Sequence, residues 1–238
     1  MSEQLRIALV AEGPTDMIVI RAALEAILRD RPFVMTLLQP EVSAALDGFG
    51  PFGGGWTGVY RWCKQAASRG GGRLSSDALS YQNFDFLVIH LDADVAGEEY
   101  ASGNIRSEAC DGNLPCLHAC PPASATTNAL REVLLTWCGE TRVPGETVVC
   151  MPSMSSEAWI LAALFPDDRA MKRDIECYPD PESRLGQQPK KSRVKKTQSD
   201  YSSRAHDLTA RWPAIARQGA LDEAWRFQRE FVAALPSP

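Results

Sequence analysis

The chain has 238 residues, 45% apolar and 23% charged, with a formal net charge of −5 from 25 basic and 30 acidic side chains. This composition excludes collagen, coiled coil and wholesale disorder, and a chain of this length buries a core without disulfide or metal staples. No run reaches the roughly eighteen apolar residues of a membrane span, and the opening MSEQLRIALV lacks the basic flank and long apolar run of a signal peptide, which sets a cytoplasmic, non-membrane expectation.

Leu5 to Ala11 (LRIALVA) is a short apolar run closed by Glu12, Gly13 and Pro14, the pattern of a buried strand entering a turn. Thr15 or Asp16 can cap the helix that follows to about Arg29, with Ile18, Ala22, Ala23, Leu24, Ile27 and Leu28 on a broad packed face. Phe33 to Leu38 reads as a second strand between Pro32 and Pro40. The glycine-rich stretch from Leu46 to Gly72 holds a helix over Thr57 to Ser68, and no Gly-Lys-Ser/Thr follows that would mark a phosphate loop. Phe84 to Leu91 (FDFLVIHL) is the strongest strand signal, suited to the centre of a covered sheet, and it ends in Asp92-Ala93-Asp94. A helix from about Ser124 to Trp137, a strand over Thr147 to Met151 and a helix carrying Glu157, Trp159, Ile160, Ala163 and Leu164 follow. This alternation predicts an α/β fold over residues 1–165, an open and mostly parallel sheet flanked by helices. Residues 166–203 read as a polar, basic linker or loop, and residues 204–238 as C-terminal helices docked through Trp212, Trp225, Phe227 and Phe231.

Charge is unevenly spread. Residues 187–238 carry 10 basic and 5 acidic side chains, against 15 and 25 in the rest of the chain. The densest basic run is Lys190, Lys191, Arg193, Lys195 and Lys196, either a solvated loop or a contact for the phosphates of a nucleic acid.

Three carboxylates fall where open α/β sheets bind ligands, beyond the carboxyl ends of strands: Glu12 after the first, Asp92 and Asp94 after the strongest. Two residues apart in extended backbone, Asp92 and Asp94 share a face. Carboxylates at close range need a raised pKa or a bound cation, and an oxygen-rich set favours Mg²⁺ or Mn²⁺. Glu157, in the first turn of its helix, is either a fourth ligand or part of N-terminal capping with Ser153, Ser155 or Ser156. His90 is either a buried, hydrogen-bonded histidine or a group that orients Asp92 from behind. Seven cysteines, an odd number, predict reduced thiols. Cys110, Cys116, His118 and Cys120 form a set that structural Zn²⁺ accepts, yet the spacing Cys-x5-Cys-x-His-x-Cys departs from paired knuckles, so zinc and an unligated loop both stay open.

VAEGPTD, Val10 to Asp16, followed by an apolar helix, resembles the first motif of the TOPRIM domain, and HLDADV, His90 to Val95, resembles its second, the Asp-x-Asp motif. With PSMSSEAWILAALF, Pro152 to Phe165, the chain is similar to a group of small prokaryotic TOPRIM-like proteins related to the catalytic domain of OLD-type nucleases, over roughly residues 5–165. The resemblance implies a divalent-metal-dependent nuclease, with a place in prokaryotic defence or beside a protein partner such as an ATPase. Glu12 would then bind metal or act as acid/base, Asp92 and Asp94 would bind metal, and Glu157 would complete a second site. A basic group among Lys191, Arg193, Lys195 and Lys196 would stabilise the pentavalent state. No tyrosine stands out as a topoisomerase nucleophile and no ATPase lies within the chain, so strand passage and primase activity are not implied. Two other readings share the carboxylates: a metal-dependent phosphotransfer enzyme or phosphohydrolase acting on a small phosphate ester, and a regulatory, partner-binding module.

Overall fold

The computed structural model describes residues 4–41, 50–106, 114–172 and 174–235. Strands β1 (Leu5–Val10), β2 (Phe33–Gln39), β3 (Phe86–His90) and β4 (Thr147–Cys150) form one sheet in the order β2-β1-β3-β4, with every pairing parallel. Side chains alternate between two cores. Leu5, Ile7, Leu9, Phe86, Val88, Val148 and Cys150 enter one, and Ala8, Val10, Leu87, Ile89 and Val149 enter the other. Both faces are covered, which is why β1 and β3 read as unbroken apolar runs.

Helices α1 (Pro14–Leu28), α2 (Gly55–Arg69), α3 (Ala78–Tyr81), α4 (Ala123–Trp137), α5 (Glu157–Leu164), α6 (Pro181–Gly186), α7 (Gln198–Ile215) and α8 (Asp222–Ala234) flank the sheet. α1, α5, α7 and α8 fill the first core, and α2 and α4 the second. The chain runs from β1 outward to β2, then back past β1 to β3. The helices that follow β1 and β3 therefore lie on opposite faces, and the strand order reverses at the C-terminal ends of these two strands. This is the topological switch point at which open α/β sheets bind ligands.

Three stretches differ from expectation. β3 stops at His90, because Asp92, Ala93 and Asp94 turn into a 3₁₀ turn (Ala93–Gly97) held by Ala93 N donating to Pro152 O and Asp94 N to Met154 O. α7 begins at Gln198, well before His206, because Thr197 caps it by accepting from Asp200 N at 3.2 Å. Residues 166–203, read as a linker, carry α6 and two 3₁₀ turns, and bury Ala170, Ile175, Leu185 and Val194 in the first core. No helix among the described residues is long and apolar enough to cross a membrane.

The expectation of reduced thiols is corrected at one pair. Cys120 and Cys177 form a disulfide, with Cα atoms 5.5 Å apart, while Cys63, Cys116, Cys138 and Cys150 are free. The zinc reading fails with it, since Cys120 has no thiolate left to offer. Cys110 lies outside the described residues, and His118 and Cys116 line a surface cavity beside Glu132.

Next to this disulfide, the buried Glu176 carboxylate accepts from the Asp222 and Glu223 amides at 2.8 and 2.9 Å, capping α8. Desolvation outweighs these bonds and pushes it up to about 7. A carboxyl raised on folding binds protons in the native state that the unfolded chain has released, so its contribution is present at low pH and lost as pH climbs to about 7. Glu176→Gln gives up one cap bond but removes this titration. Urea unfolding at pH 5 and pH 8 is expected to show a smaller loss of stability with pH in the variant, by on the order of 2–3 kcal/mol.

Candidate metal centre

Parallel pairing of β1 with β3 sets Val10 level with Ile89, so the residues just beyond each strand meet. Glu12 Oε1 accepts from the Asp92 amide at 2.8 Å. Glu12, His90 and Asp92 each present a ligand atom, and these atoms all lie within 4.8 Å of one another, close enough to hold one divalent ion. His90 and Asp92 are buried. His90 Nε2 lies 3.1 Å from Asp92 Oδ1, but neither ring nitrogen has a hydrogen-bond partner. A wholly buried imidazole with both nitrogens unsatisfied is costly, and a metal ligated by one of them removes part of that cost. The residues present therefore fit a cation. Two carboxylates and an imidazole accept Mg²⁺, Mn²⁺ or Zn²⁺.

The electrostatics agree with the geometry. Glu12 is pushed well above the usual carboxylate range, first by burial and then by the charge of Asp92, with His90 opposing. Asp92 is raised by burial and by Asp16, Glu157 and Asp94. Asp94, its side chain turned outward, stands in the 3₁₀ turn between the buried Ala93 and Val95, outside the three-residue cluster. Desolvation raises it to about 6 against the pull of Lys196.

A second layer holds Asp92. Ser156 donates its amide to Asp92 Oδ1 at 3.0 Å and its hydroxyl to Asp16 Oδ1 at 3.0 Å, while Gly13 N donates to Asp16 Oδ2 at 2.9 Å. Ser156 sits at the N-terminus of α5 without capping it through its side chain, so its hydroxyl is free for Asp16 while its amide serves Asp92. Glu157, fully buried, takes a bond from Tyr201 OH at 2.6 Å and an ion pair from Lys196 Nζ at 3.1 Å. It is not one of the three cluster residues, yet its charge acts on Asp92 and Asp94. Burial would raise Glu157, but Lys196 and the Tyr201 hydroxyl hold it below its ordinary value.

Of the basic run, Lys196 alone makes an ion pair with a residue of this centre among the described residues; it also reaches Glu182 at 3.2 Å. Lys190, Lys191, Arg193 and Lys195 are exposed around the buried Val194. Sequence reasoning missed Asp16 and Ser156 as supports and left His90 either a buried, hydrogen-bonded histidine or a group that orients Asp92. Asp16 was visible as a carboxylate one helical turn after Glu12, but it reads equally as a cap, and here its carboxylate does accept from Gly13 N. Tyr201 carried no signal, because its role depends on where α7 begins.

Comparison of the chain with family models, curated proteins and solved structures finds no match in any of the three.

Proposed function

We propose that this protein is a divalent-metal-dependent nuclease that cleaves nucleic-acid phosphodiesters with Mg²⁺ or Mn²⁺. The observation that carries the reading is the Glu12, His90 and Asp92 cluster at the switch point, its carboxylates raised by burial and by neighbouring acidic charge. A divalent ion bound there supplies Lewis-acid stabilisation of a phosphoryl oxygen and lowers the pKa of a water. The chain's own residues do the rest. Ser156 and Asp16 fix the Asp92 carboxylate, Glu12 stands as ligand or proton acceptor, and Asp94 and Glu157 extend the acidic wall toward a second cation. Lys196 brings positive charge to where a pentavalent phosphoryl group would gain negative charge. The exposed Lys190, Lys191, Arg193 and Lys195 then offer a path for the phosphate backbone.

Labelled single- and double-stranded DNA and RNA, incubated with the protein in Mg²⁺, Mn²⁺ or chelator, test the reading. Cleavage is expected only with metal, and not in Glu12→Gln. Lys196→Ala is expected to lower cleavage about 100-fold while changing metal affinity only a few-fold, since removing one transition-state donor costs that much. Because this variant strands the buried Glu157, the double variant Lys196→Ala/Glu157→Gln serves as the folding control. Loss of metal binding in Lys196→Ala with a native circular dichroism spectrum would place Lys196 in holding the metal site, not in transition-state stabilisation.

A further inference from the structure

The loop from Pro152 to Ser156 supplies the backbone that shapes the metal centre. Ala93 N donates to Pro152 O at 3.1 Å, Asp94 N to Met154 O at 2.9 Å, and Ser156 N to Asp92 Oδ1 at 3.0 Å. Met154, in the middle of this loop, has a φ of 60°. A residue with a Cβ is disfavoured in this left-handed region, and methionine has no short polar side chain to bond its own backbone there. The loop is therefore held in this shape from outside. Ser153, buried beside Met154, donates its hydroxyl to Glu176 O.

Two ties set the position of that carbonyl. One is the Glu176 carboxylate at the N-terminus of α8, a buried charge opposed by its own desolvation. The other is the disulfide from the next residue, Cys177, to Cys120. Cys120 stands two residues before Pro122, the N-cap of α4. The bridge thus joins the start of a helix in the second core to the 3₁₀ turn Ile175–Cys177, whose Ile175 packs in the first. Cys120 is exposed and Cys177 half-buried, so a thiolate reaches the bridge from solvent. Bridge, Ser153 bond and strained loop form one line of contacts from solvent to Asp92.

We propose that the Cys120–Cys177 disulfide is a redox latch on the metal centre. Oxidised, it keeps Glu176 O against Ser153, and so holds Met154 in its left-handed shape and Ser156 against Asp92. Reduced, it frees the Ile175–Cys177 turn to shift, Met154 leaves the strained conformation, and Asp92 loses part of its support. The co-reactant is a dithiol. Its first thiolate attacks Cys120 Sγ, breaking the S–S bond and releasing Cys177 as a thiolate. Its second thiolate attacks the mixed disulfide and releases Cys120. Two electrons pass to the protein, both cysteine thiolates take up protons, and the dithiol leaves as a disulfide. The latch rests on the reading of Glu12, His90 and Asp92 as a metal centre.

The test compares oxidised protein with protein reduced by dithiothreitol and desalted under nitrogen. It reads Mn²⁺ affinity and, without metal, hydrogen exchange at the Ala93, Asp94 and Ser156 amides. Reduction is expected to speed this exchange and to weaken Mn²⁺ binding at least about fivefold, the low end of coupling between distinct sites. Cys120→Ser/Cys177→Ser is expected to match the reduced protein under oxidising conditions. Met154→Gly is expected to keep the oxidised affinity after reduction, because glycine holds the left-handed shape without the latch. Unchanged exchange and equal affinity in the two states overturn the proposal, as does a reduced Met154→Gly that loses affinity as the native protein does. Loss of the native circular dichroism spectrum on reduction also overturns it, since the bridge then holds the whole fold. Faster exchange on reduction with no Mn²⁺ bound in either state supports the latch and overturns the metal reading.

Discussion

Asp92→Asn is expected to abolish metal-dependent cleavage, by more than about 100-fold, while leaving the fold intact and the metal-free protein more stable at neutral pH. Loss of groups that merely orient a metal ligand costs roughly 10–100-fold, and Asp92 is placed to be a ligand itself. The stability gain follows from the same carboxylate. Asp92 and Glu12 are both raised on folding by burial and by neighbouring acidic charge. The native state therefore holds protons that the unfolded chain has released. Stability falls as pH rises from the ordinary carboxylate range through the raised values, and it stays low above them. Asparagine keeps an oxygen for the Ser156 amide, removes one charge and relieves Glu12. Thermal unfolding in chelator is expected to drop between pH 5 and pH 8 in the native protein and to drop less in Asp92→Asn. Mn²⁺ added at pH 8 is expected to raise the native midpoint and leave the variant unmoved. A variant that still cleaves, or that gains as much from Mn²⁺ as the native protein, contradicts the assignment.

Trp212→Ala is expected to produce the largest loss of stability among single substitutions in the C-terminal helices, about 3–5 kcal/mol. Trp212 is fully buried, meets Trp159 edge-on at 5.2 Å between centroids, touches Phe227, and donates its indole N–H to Gln228 Oε1 at 2.9 Å. Its removal opens a cavity at the junction of α5, α7 and α8 and strands the Gln228 acceptor. Trp225 lies on the same helical ending but is only half-buried, so Trp225→Ala is expected to cost less than about 1 kcal/mol. Urea unfolding of the two variants makes the comparison. A small loss for Trp212→Ala would mean that the C-terminal helices are an appendage and not part of the first core. A large one matters for function as well, because the same docking carries Tyr201 and Lys196 to Glu157.

The parallel sheet was legible because β1 and β3 bury both faces and so appear as continuous apolar runs, each ending in a carboxylate. Glu12 and Asp92 could be named as residues beyond strand ends from that pattern alone. Their meeting could not, since it depends on β1 and β3 being neighbours in the order β2-β1-β3-β4, which short-range pattern does not encode. Asp94 was placed on the face of Asp92 by assuming extended backbone, and the 3₁₀ turn at Ala93 removes that relation. The choice of Lys196 from five neighbouring cations rests on the buried Val194 anchor and the early start of α7, both tertiary in origin. The Cys120–Cys177 bridge joins residues 57 apart, with α4, β4 and α5 between them, and cysteine number alone pointed the other way. His90 shows the same limit: an apolar run leaves open whether its one histidine is satisfied within the core.

Glu12, His90 and Asp92 are placed to hold one divalent ion. Pulsed electron paramagnetic resonance of Mn²⁺ bound to the purified protein tests it most directly, because nitrogen from a coordinated imidazole couples to the metal's electron spin. The native protein is expected to bind Mn²⁺ with a histidine-nitrogen coupling that disappears in His90→Ala, and Asp92→Asn and Glu12→Gln are expected to bind it far more weakly. Mn²⁺ bound without nitrogen coupling, or with equal affinity in all four proteins, would contradict the account.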